Sequence, residues 1–514
     1  MQRLLTGALG ALLALLLGSC SERSASYAAA APPAYCRLGI NLAHLAYYSP
    51  EYPFTDAFKL SQPFIHQSTT QWAVDEPLKL RDDGYPAELA PGHIAGTLIF
   101  RDIGTNYPAG RYVCLYDGKG RIEFDFAAAA SAHSPGRIDV LVTPKESGIY
   151  LKITATDPAD PIRNIRLLLP GCEEEQVFHP DFLRRWRGFA VVRFMDWQRI
   201  NDSEVTTWDD RTLLSDQTQA SQRGIAPEYM VQLCNELGAD PWVCIPHRAD
   251  DGYVTELAKL FAAELAPERK VWVEYSNETW NDQFTQADWC RNRGTELGLD
   301  GDPSTAQIFY HAYRAGEVHT IWTEQFGGRD RLVRVLAAQS ANPWTSEAML
   351  DWRDAAANAD VLAIAPYFGL EIVGMEVGQA IASLTVPQIL ERCQTSVEQT
   401  LVHAGEHLQN ANGYGLRLVA YEAGQHLVGS VGAENIEELT ERLHAANRDP
   451  GMGEIYDGYL AGWRALGGSL LCAYHSTGGY SKWGSWGHCE DYGPDSEEAP
   501  KYRALRSFLA SLEE

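Results

Sequence analysis

Short apolar runs rich in β-branched residues recur along the C-terminal two-thirds of the chain. They fall at 189–194 (FAVVRF), 241–245 (PWVCI), 271–275 (VWVEY), 331–337 (RLVRVLA), 361–365 (VLAIA), 416–421 (LRLVAY) and 469–473 (SLLCA). Between them the apolar positions keep a helical period. Ile308, Ala312, Ala315, His319 and Trp322 fall at steps of four and three, along one face of a helix. Strands that alternate with helices predict an α/β fold, with a parallel sheet joined by crossover helices. An eighth run at 37–42 (RLGINL), followed by a short helix at 56–60, completes the set for a closed (β/α)8 TIM barrel.

Between the first run and the second the rhythm changes. Short alternating runs at 96–101, 110–116, 121–126, 137–143, 148–155 and 165–169 are separated by turn signals such as Asp117-Gly118 and Ser134-Pro135-Gly136. They predict a small antiparallel β-sandwich at 75–172, inserted after the first barrel strand. The barrel then comprises 35–74 and 173–514, and the chain re-enters it as a helix near 178–185.

The N-terminal segment reads as an address. Arg3 precedes an apolar stretch from Leu4 to Leu17, a secretory pattern. It ends Leu17-Gly18-Ser19-Cys20, which resembles the lipobox of bacterial lipoproteins and implies cleavage before Cys20 and lipidation of its thiol. The competing reading is a plain anchor helix, for which the uncharged run 4–21 is barely long enough. Either reading expects the body to work outside the cytoplasm, on a tether of small and polar residues at 21–34. Nine further cysteines follow; an odd count leaves at least one thiol unpaired, and the absence of a C-x-x-C pair argues against a zinc knuckle. Cys234, Cys244 and Cys472 sit in apolar segments and read as small core residues.

Composition narrows the partners. With 68 acidic against 42 basic residues the formal charge is −26, so phosphate backbones and anionic headgroups are repelled, and no nucleic-acid partner is expected. Fourteen Trp and 24 Tyr suit stacking on the apolar faces of sugar rings.

The candidate chemistry gathers at strand ends, where barrels of this kind place their active sites. The fourth strand runs into Ser276-Asn277-Glu278-Thr279-Trp280-Asn281, and the seventh into Tyr421-Glu422-Ala423-Gly424. Two carboxylates therefore reach one mouth from nearly opposite sides, the arrangement glycosidic-bond hydrolysis needs. On these residues the chain resembles the clan A glycoside hydrolases, retaining enzymes on a (β/α)8 barrel. The resemblance implies that Glu278 is the acid/base, Glu422 the nucleophile, and Asn277 a contact to the 2-hydroxyl of the reacting sugar. It implies that Arg193, ending the second strand, and Tyr367, following the sixth, hold the nucleophile. A Trp after the eighth strand, Trp486 or Trp483, would floor the sugar subsite. It also implies an oligo- or polysaccharide substrate, β-linked or an exopolysaccharide, with no metal and no cofactor.

Other residues are expected at the same mouth. His247 follows the third strand and reads as a sugar-hydroxyl donor. Gln339 and Trp344 follow the fifth and read as subsite contacts. The competing reading makes Glu278 and Glu422 surface carboxylates that cap helices. Two rival functions remain in view. One is a surface glycan-binding lipoprotein without catalysis. The other is a zinc peptidase built on His403-Ala404-Gly405-Glu406-His407, an H-x-x-E-H pattern on a helix. That helix precedes the seventh strand and belongs to the outer ring, which disfavours the peptidase.

Overall fold

The computed structural model describes residues 36–513. The secretory segment, Cys20 and the tether lie outside the described residues. Eight parallel strands close into a barrel: β1 Arg37–Asn41, β2 Val191–Arg193, β3 Asp240–Ile245, β4 Val271–Tyr275, β5 Leu332–Ala337, β6 Val361–Ile364, β7 Arg417–Ala423 and β8 Leu470–Ala473. Each pairs with its sequence neighbour, and β8 closes on β1 through Arg37 opposite Leu470 and Gly39 opposite Cys472.

Alternation along the strands explains why the runs are apolar throughout. On β4, Val271, Val273 and Tyr275 point outward and pack under the helices, while Trp272 points into the barrel. On β3, Val243 and Ile245 face out and Trp242 and Cys244 face in. Both faces of a parallel barrel strand are covered, so both carry apolar side chains. Trp242 and Trp272 stack in the lumen at 5.1 Å between ring centroids. Gly39 is required where β1 meets β8, because a Cβ there would sit 2.5 Å from the Cys472 sulfur.

Among the surrounding helices, α1 (Pro180–Trp186) brings the chain back to the barrel, α2 (Pro227–Leu237) and α3 (Asp251–Glu264) follow β2 and β3, and α4 (Thr285–Glu296) follows β4. Next comes α5 (Pro303–Gln325), capped by Asp302, whose carboxylate accepts from the Thr305 N–H. It buries Ala312, Ala315, His319 and Trp322, the face read from the sequence. No described helix is long and apolar enough to cross a membrane.

The chain between β1 and β2 forms two four-stranded antiparallel sheets. One orders Ile65–Ser68, His93–Ile99, Ile149–Thr156 and Gly120–Phe126; the other orders Ala128–Ser134, Arg137–Val142, Gly110–Asp117 and Arg163–Leu168. Two of these strands differ from the sequence reading. Ile65–Ser68 lies ahead of residue 75, so the sheets begin about ten residues before the expected boundary. Ala128–Ser134 is an edge strand with one buried residue, and its small exposed side chains carry no alternation to read. Asp56 ties this region to the barrel: its buried carboxylate accepts from the Phe58 and Leu167 N–H groups at 3.0 and 2.7 Å. The expected helix at 56–60 is a 3-10 turn over Ala57–Leu60 with Asp56 as its cap.

Candidate active site

The site is built around one buried guanidinium. Arg193 ends β2 and has no exposed surface. A guanidinium has five N–H donors, and here five hydrogen bonds leave it. Nε and Nη2 both donate to Glu274 Oε2, at 3.0 and 2.9 Å; Nη2 also reaches Asn277 Oδ1 at 2.9 Å; Nη1 reaches Asn41 Oδ1 at 3.1 Å and Glu422 Oε1 at 2.7 Å. The Tyr421 ring lies 4.9 Å below the guanidinium carbon. A charged, forked donor fixed on every side aligns its carboxylate partners far better than a mobile cation would.

Glu422 sits in an irregularity of β7. The register against β8 slips between Ala420 and Ala423, so Tyr421 and Glu422 occupy a bulge. Bulges of this kind re-aim side chains. The carbonyl the bulge frees at Tyr421 accepts from Asn41 Nδ2 at 2.9 Å, and the same amide reaches the Ala473 carbonyl of β8. The second oxygen of Glu422 accepts from the Tyr367 hydroxyl at 3.0 Å.

Glu278 is held differently. Its two oxygens accept from the Tyr421 hydroxyl at 3.1 Å and from Asn281 Nδ2 at 2.8 Å, both neutral donors. The backbone that presents it is strained, with Ser276 at φ +61° and Glu278 at φ +41°. Left-handed non-glycine residues cost about 1–2 kcal/mol each, and such strain concentrates where function over-determines the backbone. Asn277, between them, donates to Asn201 Oδ1 at 3.0 Å, and Gln286 of α4 braces both Asn201 and the Asn277 carbonyl.

Burial raises the pKa of both Glu278 and Glu422, and the negative charge facing each adds to the rise. The Arg193 guanidinium opposes this most strongly at Glu422, which it touches directly. The two titrate as a pair. Of that pair, Glu422 is the one with a cation at 2.7 Å, and burial with the facing carboxylate still pushes its pKa up to about 8.

Asn41, Asn201, Glu274, Asn281, Gln286, Tyr421 and Tyr474 have no role in the sequence reading. Glu274 points into the barrel beneath Arg193, and its Oε2 also accepts from Trp242 Nε1 at 2.8 Å. A lone Glu within VWVEY is a signal that was available, because an acidic residue inside a fully buried strand needs a partner. Tyr474 follows β8, joined to His475 by a cis peptide bond, and its hydroxyl donates to Asp196 Oδ2 at 3.1 Å.

The remaining expected residues are placed unevenly. The Trp486 ring meets Tyr367, His426 and Tyr474 edge-on at 5.0–5.9 Å, beside the phenol that holds Glu422. Trp483 is 67% exposed and its ring is met by Lys482. His247 is buried against Trp289 of α4, and burial pushes its pKa down to about 4; no recorded hydrogen bond joins its ring to either glutamate. Gln339 lines a small cavity with Thr279 and Trp280, and Trp344 is exposed at the start of the next helix. The peptidase motif does not assemble. His403 is exposed, whereas His407 is buried with both ring nitrogens engaged, by the Ser346 hydroxyl at 2.9 Å and the Ser340 carbonyl at 3.1 Å. No group of three or more His, Cys, Asp or Glu among the described residues is placed to hold a metal. The nine described cysteines are free thiols.

No protein-family profile and no curated protein matches the chain. Solved structures do. The chain is similar to the GH51 arabinofuranosidase from Xanthomonas axonopodis pv. citri, at 10% identity and TM-score 0.37, over 58% of this chain and 60% of that one. It is similar to a 4-O-α-L-rhamnosyl-β-D-glucuronidase from Fusarium oxysporum 12S, at 10% identity and TM-score 0.38, over 64% and 62%. A Bacteroidetes-affiliated GH5 cellulase aligns at 12% identity and TM-score 0.34, over 63% and 82%. The chain thus spans about three-fifths of the first two.

Proposed function

We propose that this protein is a retaining glycoside hydrolase acting on an oligo- or polysaccharide. The observation that carries the reading is the unequal holding of two glutamates at one barrel mouth. Glu422 is fixed by a guanidinium and a phenol, Glu278 by two neutral donors. A double displacement asks for this difference. Glu422, ionised beside Arg193, attacks the anomeric carbon along a line set by the Tyr367 and Arg193 hydrogen bonds. Glu278, kept protonated by burial and by the charge on Glu422, delivers its proton to the departing oxygen. A covalent glycosyl-enzyme results. Glu278, now a carboxylate, takes a proton from water as that water attacks, and the starting anomeric configuration is restored. Asn277, oriented by Arg193 and Asn201, is placed to meet the hydroxyl next to the reacting carbon. The chemistry uses no cofactor.

The same proposal has the chain exported and lipid-anchored through Cys20, so that its partners are a glycan and, through the lipid alone, a membrane. Incorporation of a labelled fatty acid, lost in Cys20→Ala, tests the anchor.

A glycan panel read by NMR tests the chemistry. The first-formed product has the anomeric configuration of the substrate, and a cyclophellitol-type probe labels Glu422. Glu278→Ala slows substrates with poor leaving groups most, and azide restores turnover as a glycosyl azide of retained configuration. Binding of glycans with no cleavage and no labelling would instead establish a glycan-binding protein. An inverted product would overturn the assignment of Glu422 as nucleophile.

A further inference from the structure

The side of the mouth formed by β8, β1 and β2 carries a carboxylate that the proposed reaction does not use. Asp196 lies three residues beyond Arg193 and is partly exposed. Its Oδ2 accepts from the Tyr474 hydroxyl, while Oδ1 has no hydrogen-bond donor among the described residues and is not sealed from solvent. The Tyr474 ring packs on Tyr367 at 6.2 Å and on Trp486 at 5.9 Å, and Tyr367 donates to Glu422. A continuous chain of contacts therefore runs from Asp196 to the nucleophile, and the charge of Asp196 is felt at Glu422. His44, from the loop after β1, flanks the same carboxylate, and its ring meets Tyr48 at 5.9 Å.

The cation nearest the two glutamates, Arg193, is already engaged. The Arg193 donors are divided among Glu274, Glu422, Asn277 and Asn41. Arg199, the other guanidinium on this side, donates to the Leu45 carbonyl at 3.3 Å. Glu422 and Asp196 thus face a mouth whose central guanidinium has every donor committed. An added anion would meet repulsion from both carboxylates, whereas a hydroxyl would find a vacant acceptor.

Building on the glycosidase reading, we infer that Asp196 is a specificity-determining residue. Its open oxygen accepts a hydroxyl of a neutral sugar ring, and its charge turns away glycones that carry a carboxylate or sulfate. A hydrogen bond to a charged group is worth about 1.5–3 kcal/mol, which corresponds to roughly 10–150-fold in labelling rate.

The test uses the full chain and two sets of cyclophellitol-aziridine probes, neutral (gluco, galacto, manno) and uronic-acid configured. The expected result is labelling at least about tenfold faster by one of the neutral probes. Asp196→Asn should slow that probe roughly 10–150-fold and speed the uronic probe. A general loss of structure would slow both, so the opposed directions mark specificity. Tyr474→Phe keeps the carboxylate and should keep the preference for neutral probes, which covers the case in which Asp196→Asn does not fold. Faster labelling of the parent by the uronic probe, unchanged neutral labelling in Asp196→Asn, or loss of the preference in Tyr474→Phe overturns the inference. If the uronic probe labels Glu422 well, the glycosidase reading survives and only this inference falls. If no probe labels the parent and no glycan is cleaved, both fall.

Discussion

Two buried glutamates in this molecule are treated in opposite ways. Glu422, at the mouth, shares a guanidinium with Glu274. Glu51, in the connection after β1, is wholly enclosed and accepts from Trp186 Nε1 at 2.9 Å, the Ser476 hydroxyl at 2.8 Å and the Tyr492 hydroxyl at 3.2 Å, with no cation among them. Burial pushes its pKa up to about 7. Neutral donors soften the desolvation of a carboxylate without abolishing it, so a proton is a competitive partner there. A guanidinium supplies the countercharge directly and opposes the rise at Glu422, where burial and the facing Glu278 carboxylate still push the pKa up to about 8. The comparison separates a carboxylate that shares a cation from one built into a wall.

The sharpest way to break the contrast is at the nucleophile. Glu422→Gln keeps shape and hydrogen-bonding capacity but cannot attack. Turnover should fall on the order of 10⁴-fold or more, with glycan binding nearly unchanged and the melting midpoint lowered, because Arg193 keeps only Glu274 as its carboxylate. Steady-state assays, calorimetric titration and thermal unfolding check this together. Removing the cation comes next. Arg193→Met leaves Glu274 buried beside an apolar chain, and loss of one partner of a buried ion pair costs about 3–5 kcal/mol. Denaturant titration should show that loss, and Glu274→Gln in the same background should recover part of it.

Glu51 tests the other side. Its folded pKa is raised, so the folded state holds the proton more tightly than the unfolded chain. The stability this gives is full below about 4.5, the ordinary value, and is lost as pH rises through about 7. A difference of this size corresponds to about 3 kcal/mol. Glu51→Gln should therefore match the parent near pH 4 and exceed it by up to about that amount at pH 8, measured as unfolding midpoints across the range. Parallel curves for parent and variant would show that Glu51 does not titrate in this window. The smallest effect is expected at Tyr367→Phe. Deleting one donor to the ionised form of Glu422 costs about 1.5–3 kcal/mol in kcat/KM. It also raises the pKa of Glu422, so the acid limb of the pH–rate profile should move to higher pH.

What could be read from the chain follows burial. Parallel strands covered on both faces stand out as apolar runs, which is why eight strands and their order were visible before the barrel was seen. Carboxylates directly after such runs, Glu278 and Glu422, were visible for the same reason. Their supports divide. Arg193 and Tyr367 lie at strand ends where a polar residue is conspicuous. Asn41 and Tyr421 lie within strands, and only closure of the barrel decides that they point inward, whereas Glu274 stands out as a lone acid in an apolar strand. The bulge at Tyr421–Glu422 leaves no mark in the sequence, because its cause is the pairing with β8 and the Asn41 amide from β1. Trp483 and Trp486 stand three residues apart in one glycine-bounded loop, and residue type alone does not tell which turns inward. Ala128–Ser134 escaped notice because an exposed edge strand needs no apolar side chains.

The clamp at β1 also sets an order in time. Asn41 fastens the bulge that carries Glu422, yet it lies 152 residues before Arg193 and 432 before Ala473, the partners it joins. A ribosome releases β1 first and must deliver nearly the whole polypeptide before that strand has both neighbours. Contacts so far apart along the chain form late and slowly. The sheets between β1 and β2 can gain their own hydrogen bonds meanwhile, so the first barrel strand made is among the last to be fixed. Glu422 acquires its final orientation only when the barrel shuts.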